Sequence, residues 1–483
     1  MDPVTVVGAG PVGLGLALSL ARYEVPVVVL DERPADDADL ADRRLARTAV
    51  LRPDTVAGLE RLGCTTAEGA RWSGWRTMRR RTPVTQVPFG EPHPGKEPDE
   101  VPPDGDPLEA TAPDVAPGGP SPLHLPQHAL VRELRAALAD RDDVRIVHGS
   151  RVTVLQQDAD GITLHTRGEN GSAWRAGYLV GCDGPRSVVR KLLGTRFPGR
   201  TAVERYAVAA LRTELPWPGE AVLQRSPLRG AEVTARPLPD GVWRLDWLLP
   251  PDGGLVTPED LIGHIHDTLG AWCGDVPRYE LLDTGVYAVH HRLARRWRSG
   301  RAFLAGDAAH LLGALGTQGL DEGLRDAGNL AWKLAQAWHH GASEALLDSY
   351  EAERREAVGA RLRAADRALP AVRGAGGWRT VRRTVVPGSA RSHDALLTDA
   401  HLGRGGPWAS RRCTTVRPSP RRRRRPVRCR WARRSGRPWR TCRSRRRTGR
   451  RSRWATGWTG RSWSCWSPPA PGYGSGGTGW ARG

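Results

Sequence analysis

The sequence predicts an α/β fold. A Rossmann-like dinucleotide-binding unit receives an inserted, mostly antiparallel β-sheet and is followed by a disordered basic tail. Three observations carry this expectation. A β-branched strand, a glycine turn and an alanine- and leucine-rich helix open the chain over 4–22. Period-2 segments at 207–213, 232–236 and 242–249 are broken by Pro and Gly, the mark of a half-buried antiparallel sheet. The stretch 411–483 follows neither pattern.

Val4 to Val7 is typed for a buried strand, and Gly8-Ala9-Gly10-Pro11-Val12-Gly13 follows it. The helix then runs to about Arg22, and Pro26 to Leu30 reads as a second buried strand ending at Asp31-Glu32-Arg33. This is a βαβ unit with G-x-G-x-x-G at its turn. Gly8 permits the tight turn, Gly10 lets a pyrophosphate reach backbone, and Gly13 lets helix and strand pack closely. An acid after the second strand takes a ribose hydroxyl, and Glu32 is placed for it. The motif does not distinguish FAD from NAD.

Residues 42–63 read as a loop and a helix, entered by Arg43, Arg44 and Arg47. Residues 91–122, rich in Pro, Gly, Asp and Glu, read as a flexible insertion. Gln127 to Asp140 is an amphipathic helix; 144–148, 152–156 and 161–166 read as a small β-meander. Tyr178 to Val180 is a buried strand ending in Gly181-Cys182-Asp183-Gly184, where Asp-Gly alone reads equally as an ordinary turn. Thr257 to Leu269 is a helix. Ala302 to Leu304 is a short buried strand, turned at Gly306-Asp307 into a glycine-rich loop and a helix. That helix N-terminus faces back toward the loop and favours an anion. Residues 345–369 form one long helix.

The formal charge of +21 first suggests a nucleic-acid partner, but 23 arginines and no acidic residue fall in 411–483, so the rest of the chain is close to neutral. The tail also lacks Leu, Ile, Met and Phe, cannot build an aliphatic core, and is expected to be disordered. Its Arg, Pro, Gly, Trp and Ser runs read as a GC-rich coding sequence out of frame; the competing reading is an arginine-rich RNA-binding arm. Cys64, Cys182 and Cys273 show no pairing pattern, there is no signal peptide, and no apolar run reaches membrane-spanning length. A cytoplasmic location, no membrane and no nucleic-acid partner are therefore expected, with no metal site. The expected division is 1–200 and 284–370 as two parts of one nucleotide-binding domain, 201–283 as the inserted domain, 371–410 as an irregular remnant and 411–483 as the tail.

Four separated motifs, GAGPVG with Asp31-Glu32-Arg33, GCDGPRSVVR at 181–190, AGDAAH at 305–310 and DAGNLAWKLA at 326–335, together resemble the single-component FAD-dependent aromatic hydroxylases. These are the para-hydroxybenzoate hydroxylase group, including polyketide-tailoring monooxygenases. The resemblance implies a glutathione-reductase-type FAD-binding domain with 201–283 as the substrate domain. It implies that Gly8, Gly10, Pro11 and Gly13 hold the FAD pyrophosphate, Glu32 the ribose, and Arg33 the adenine edge. Arg47, preferred over Arg43 and Arg44, would reach the phosphates, and Gln127 would lie near the flavin chain. Asp183-Gly184 would serve both FAD and the pyridine nucleotide, and Gly306-Asp307 a ribityl hydroxyl. Backbone at Gly316, Gln318, Gly319 and Leu320 would face the flavin ring.

The implied reaction uses NADPH or NADH and O2 to hydroxylate an aromatic or polycyclic, polyketide-like substrate through a flavin C4a-hydroperoxide. The alternatives are a non-hydroxylating flavoprotein that binds an aromatic ligand, or an enzyme inactivated by loss of a C-terminal domain. The family's loop usually has proline where this chain has Ala314 and asparagine where it has Asp321; an acid there would disfavour an anionic flavin unless it faces the helix amides. His310 is read as structural, and no catalytic side chain is assigned. Tyr287, His290 and His291 either face the substrate or lie on open surface. Substrate identity and oligomeric state are not legible.

Overall fold

The computed structural model describes residues 1–35, 44–79, 82–89, 121–225, 232–250, 255–312 and 319–373. The predicted tail, Arg43, Ala314, Gly316, Gln318 and all but the last two residues of the 91–122 insertion lie outside them.

The elements that build the nucleotide-binding part are β1 (Val4–Val7), α1 (Pro11–Ala21), β2 (Val27–Leu30), β3 (Thr48–Leu51) and α2 (Pro53–Arg61). After the small strands β4 (Ala70–Arg71), β5 (Gly74–Arg79), β6 (Thr82–Pro88) and β7 (Leu123–Pro126) come α3 (Gln127–Ala139), β8 (Val144–Val147), β9 (Arg151–Gln157), β10 (Ile162–Arg167), β11 (Ala173–Ala176), β12 (Tyr178–Gly181) and α4 (Val188–Leu192). The antiparallel part has β13 (Gly199–Arg212), β14 (Glu220–Arg225), β15 (Glu232–Pro237), β16 (Val242–Leu248), α5 (Pro258–Cys273) and β17 (Glu280–Leu293). The chain returns through β18 (Arg298–Ser299), β19 (Ala302–Leu304), a 3-10 turn (Gly306–Ala308), β20 (His310–Leu311), α6 (Gly319–His340) and α7 (Glu344–Arg373).

The first sheet runs β18-β19-β12-β1-β2-β8, parallel apart from the β18 edge. Valines fill β1 and β2 because both strands are buried in the core, so no alternation is required. Helix α1 is buried on nearly every side, and its glycines let it press close to α6: a Cβ on Gly15 would sit 2.9 Å from Leu324 Cδ2, and one on Gly323 would sit 2.6 Å from Val12 Cγ2. Two expectations differ. Val144–Val147 is a parallel edge strand on β2, not part of the meander, whose third strand is Ala173–Ala176. The 42–63 stretch contains the strand Thr48–Leu51, held by Leu123–Pro126, before its helix. Both were short apolar runs whose partners are distant in the chain.

The second sheet has eight strands in the order β20-β17-β13-β16-β15-β14-β5-β6. It is wider than 201–283: β5 and β6 join from the first part, and β17 runs through position 283 to Leu293. One face carries Ala207, Ala209, Leu211, Trp243, Leu245 and Trp247, covered by Leu261, Ile265 and Leu269 of α5. Thr257 and Asp260 form a capping box that starts α5.

A buried ionic lattice ties α6 and α7 to the strand ends. Asp326 Oδ2 accepts from the Gly306 amide at 3.0 Å and from His310 Nε2 at 2.7 Å, while its Oδ1 accepts from Arg354 Nε at 2.7 Å. Arg354 also donates to Glu322 at 2.5 Å, and Glu322 pairs with Arg52 and, at 2.8 Å, with Arg361. Burial would raise the Glu322 carboxyl, but Arg354, Arg361 and Arg52 hold it far below the usual range. His310 is fully buried and stacked on Trp297, in keeping with a structural role. Removing one partner from such a set leaves charge uncompensated in the interior. Asp326→Ala should therefore cost about 3–5 kcal/mol of stability in urea unfolding; a loss under about 1 kcal/mol would contradict this role.

Candidate cofactor and substrate site

The carboxyl ends of the parallel strands open into one groove, where open α/β sheets bind ligands. It is lined by Gly8, Gly10, Pro11, Glu32, Arg33, Arg47, Gln127, Asp183 and Gly184 among others. Nine of the predicted site residues thus meet in one cleft. Gly13 lies behind it, because a Cβ there would come 1.9 Å from the Gly8 carbonyl oxygen. Gly8 itself has φ 105°, and a Cβ would meet the Cys182 carbonyl at 2.6 Å. Gly10 is different: a Cβ there would meet nothing within 4 Å. The open space over Gly10 lies at the start of α1, which has no side-chain cap and no acid in its first turn. An uncapped helix start with an empty cradle fits a pyrophosphate. No metal-binding cluster occurs among the described residues.

The two neighbouring acids at the end of β2 have separate tasks. Asp31 is buried and accepts from the Ala9 amide at 2.6 Å and the Arg33 amide at 2.9 Å. Burial alone would raise its carboxyl, but these amides and the Arg33 guanidinium outweigh that and hold it below the usual value. Asp31 therefore closes the glycine turn. The Glu32 side chain is 61% exposed, with Arg151 no nearer than 3.6 Å, and is the acid able to receive a ribose hydroxyl. Asp183 also has a structural share: it accepts from Ser187 Oγ at 2.5 Å and from the Val188 and Val189 amides at 2.6 and 3.0 Å, capping α4. Arg190, not picked out from the sequence, ties this loop to the next, donating to the Ala308 carbonyl at 2.9 Å and the Pro185 carbonyl at 2.8 Å.

Arg44 is spent on the antiparallel sheet, donating to the Thr284 carbonyl at 2.8 Å, whereas Arg47 lines the groove. The Arg47 carbonyl also accepts from the Gln127 amide at 2.9 Å, which seats the start of α3 at the cleft. Gly306 and Asp307 end the adjacent strand β19, beyond the lining residues. Asp307 is exposed to solvent, yet the protein packed around it raises its carboxyl, with His310 and Arg47 pulling the other way. Gly319 and Leu320 begin α6 beside it; a Cβ on Gly319 would be 3.9 Å from Asp307 Oδ1. Asp321 is fully buried and bound by the Arg52 amide at 3.0 Å and Arg52 Nε at 2.6 Å. Ser150 and Arg151, which belong to no motif, also line the groove, as does Arg186 from within the 181–190 motif.

The second face of the antiparallel sheet is polar yet buried, and it went unnoticed because charged residues in a strand read as a solvent face. Asp246 is held by Arg244 at 2.7 Å, by Arg236 at 3.3 Å and by the Tyr287 hydroxyl at 2.9 Å. Tyr287 stacks on Tyr206 with centroids 5.3 Å apart and ring planes 13° apart. His124 donates from Nδ1 to the Pro237 carbonyl at 2.8 Å, so its Nε2 accepts from the Thr48 hydroxyl at 2.8 Å, which in turn accepts from Arg244. Burial, with Arg236 beside it, pushes the His124 imidazole down to about 3. Burial and Asp246 push the Tyr287 phenol well up. These groups are locked in one protonation state and can orient a ring but not exchange protons near neutrality.

Gly10→Val should leave the ligand-free fold within roughly 0.5 kcal/mol of wild type while weakening dinucleotide binding by about tenfold or more, ~1.4 kcal/mol; calorimetric titration checks this. Asp246 gives a pH prediction. Burial would raise its carboxyl, but Arg244 and Arg236 bring it from 3.8 down to about 2. A lowered carboxyl contributes stability above its unfolded value and loses it below. The stability gap between wild type and Asp246→Asn should therefore narrow as pH falls from 3.8 toward about 2; urea midpoints across that range measure it.

The sequence profile of the family described as FAD binding domain matches residues 1–365. Over 362 residues the chain is 33% identical to a 3-(3-hydroxy-phenyl)propionate/3-hydroxycinnamic acid hydroxylase of Mycobacterium sp. (strain JLS), a match covering 73% of this chain and 57% of that relative. The chain thus spans little more than half the length of the curated relatives it matches. Among solved structures it is similar to p-nitrophenol 4-monooxygenase PnpA from Pseudomonas putida DLL-E4, at 25% identity and TM-score 0.64, covering 83% of this chain and 95% of that one. It is also similar to aklavinone-11 hydroxylase in a ternary complex with FAD and aklavinone, at 27% identity and TM-score 0.61, covering 79% and 70%. The chain belongs to the FAD-binding-domain family, in the company of the flavin-dependent aromatic hydroxylases.

Proposed function

We propose that this chain is an NAD(P)H-dependent monooxygenase that hydroxylates an electron-rich aromatic, with a fused-ring, polyketide-like phenol as the preferred substrate class. The observation that carries the FAD assignment is the empty cradle over Gly10 at an uncapped helix start, within a groove shared by Glu32, Arg47 and Gln127. Bound FAD supplies hydride acceptance and oxygen activation. The chain supplies the rest. The α1 start and Arg47 hold the phosphates, Glu32 the ribose, and Asp307 a hydroxyl of the linking chain. The α6 start places positive potential beside the ring, where reduction builds negative charge.

For the substrate, support comes from the polar sheet face. Arg244 is committed to Asp246, and Arg236 lies 3.3 Å from the same carboxylate with its Nη1 making no hydrogen bond. Beside them the Tyr206–Tyr287 stack contributes two near-parallel rings. The paired rings support a fused-ring aromatic as the preferred class, in line with the aklavinone complex. Substrate-binding groups here orient a ring and keep water from the reacting face.

Purified protein should be yellow, and NADPH or NADH should bleach it under nitrogen. Readmitted air with a polycyclic phenol should then give one hydroxylated product per nicotinamide oxidised. Quantitative peroxide release with every aromatic tried would favour a flavoprotein that binds without hydroxylating. Colourless protein that takes up no FAD would contradict the proposal outright.

A further inference from the structure

We infer that Arg52 is a positioning residue for the flavin's electronics: it cancels the Asp321 charge at the start of α6, keeping that helix end positive toward the cofactor. The inference rests on the FAD reading above. Asp321 is the third residue of α6, and both it and Glu322 lie in the first turn. Two carboxylates there would oppose the positive end of the helix dipole, equivalent to roughly half an elementary charge. Asp321 has no exposed surface, so neither water nor salt can screen it.

Arg52 is built to meet it. It precedes Pro53, which opens α2 at its first position, so the Arg52 backbone is extended and fixed. Its amide donates to Asp321 Oδ1 at 3.0 Å and its Nε to Oδ2 at 2.6 Å, while its Nη2 reaches Glu322. The side chain is itself nearly buried, and although burial opposes its charge, Asp321 and Glu322 hold that charge in place. Glu322 has Arg354 and Arg361 as well. Arg325 lies 3.5 Å from Asp321 and is also paired with exposed Asp54, while Arg361 is bound to Glu322 and acts on Asp321 through charge. Arg52 is therefore the main counter-charge of the one acid that would otherwise sit uncancelled beside Gly319 and Leu320.

The test is the midpoint potential of the FAD-loaded protein, by equilibration with a reference dye. Arg52→Met should reduce the preference for reduced over oxidised flavin about tenfold, a fall of about 30 mV for a two-electron couple. Asp321→Asn should raise the potential by a similar amount, and the double variant should return toward wild type. Simple loosening of the fold cannot produce opposite signs that cancel. Should Arg52→Met not fold, the rise in Asp321→Asn decides alone. Unchanged potentials, or a fall in both single variants, overturn the inference while leaving the FAD reading intact. Wild-type protein that holds no FAD fails the reading itself, and is seen before any variant is made.

Discussion

The Gly306 amide bonded to Asp326 is the contact on which the site depends. It pins the end of β19 to the middle of α6, and the same carboxylate holds His310 and Arg354. Arg354 passes the constraint to Glu322, and Glu322 to Arg52 at the start of α2. Elements from three distant parts of the chain are thereby locked in one arrangement. Charges this deep are costly to bury singly and stable only as a set, so the lattice is held together as a unit. Its function-bearing product is geometric: the protein's own contacts set the strand-end turn with Asp307 beside the start of α6.

Around that frame, acids divide between holding the protein and facing the groove. Asp31, Asp183, Asp321 and Asp326 are consumed by backbone amides or arginines. Glu32 and Asp307 stay exposed to solvent. On the proposed reading these two are the acceptors offered to a nucleotide, on a backbone shaped by the other carboxylates. On the polar sheet face Asp246 likewise gathers Arg244, Arg236 and the Tyr287 hydroxyl, holding that buried face in one arrangement.

What the sequence revealed was local. The valine strands, the glycine spacing and the Asp307 turn are encoded within a few residues, and each physical requirement falls on the residue that shows it. Glu32 was legible because its distance from the glycine turn is set by one helix length. Arg52 was not, since its partner lies 269 residues away and nothing near Arg52 marks it. Asp246, Arg244 and His124 were hidden for a related reason: a charged residue at a period-2 position looks solvated until the opposing element is known. Val144–Val147 shows the same limit, because a short apolar run does not say which sheet it joins. Asp321, which the sequence marked as a departure from its family, is reconciled only by that distant arginine.

Hydrogen exchange at the Gly306 amide tests the central claim most directly, since that proton is bound by Asp326 Oδ2 at 3.0 Å. A preformed frame predicts protection close to that of the β1 and β12 core amides without FAD, and little change when FAD is added. Rapid exchange that slows only on FAD binding would mean the cofactor builds the turn, contrary to this account.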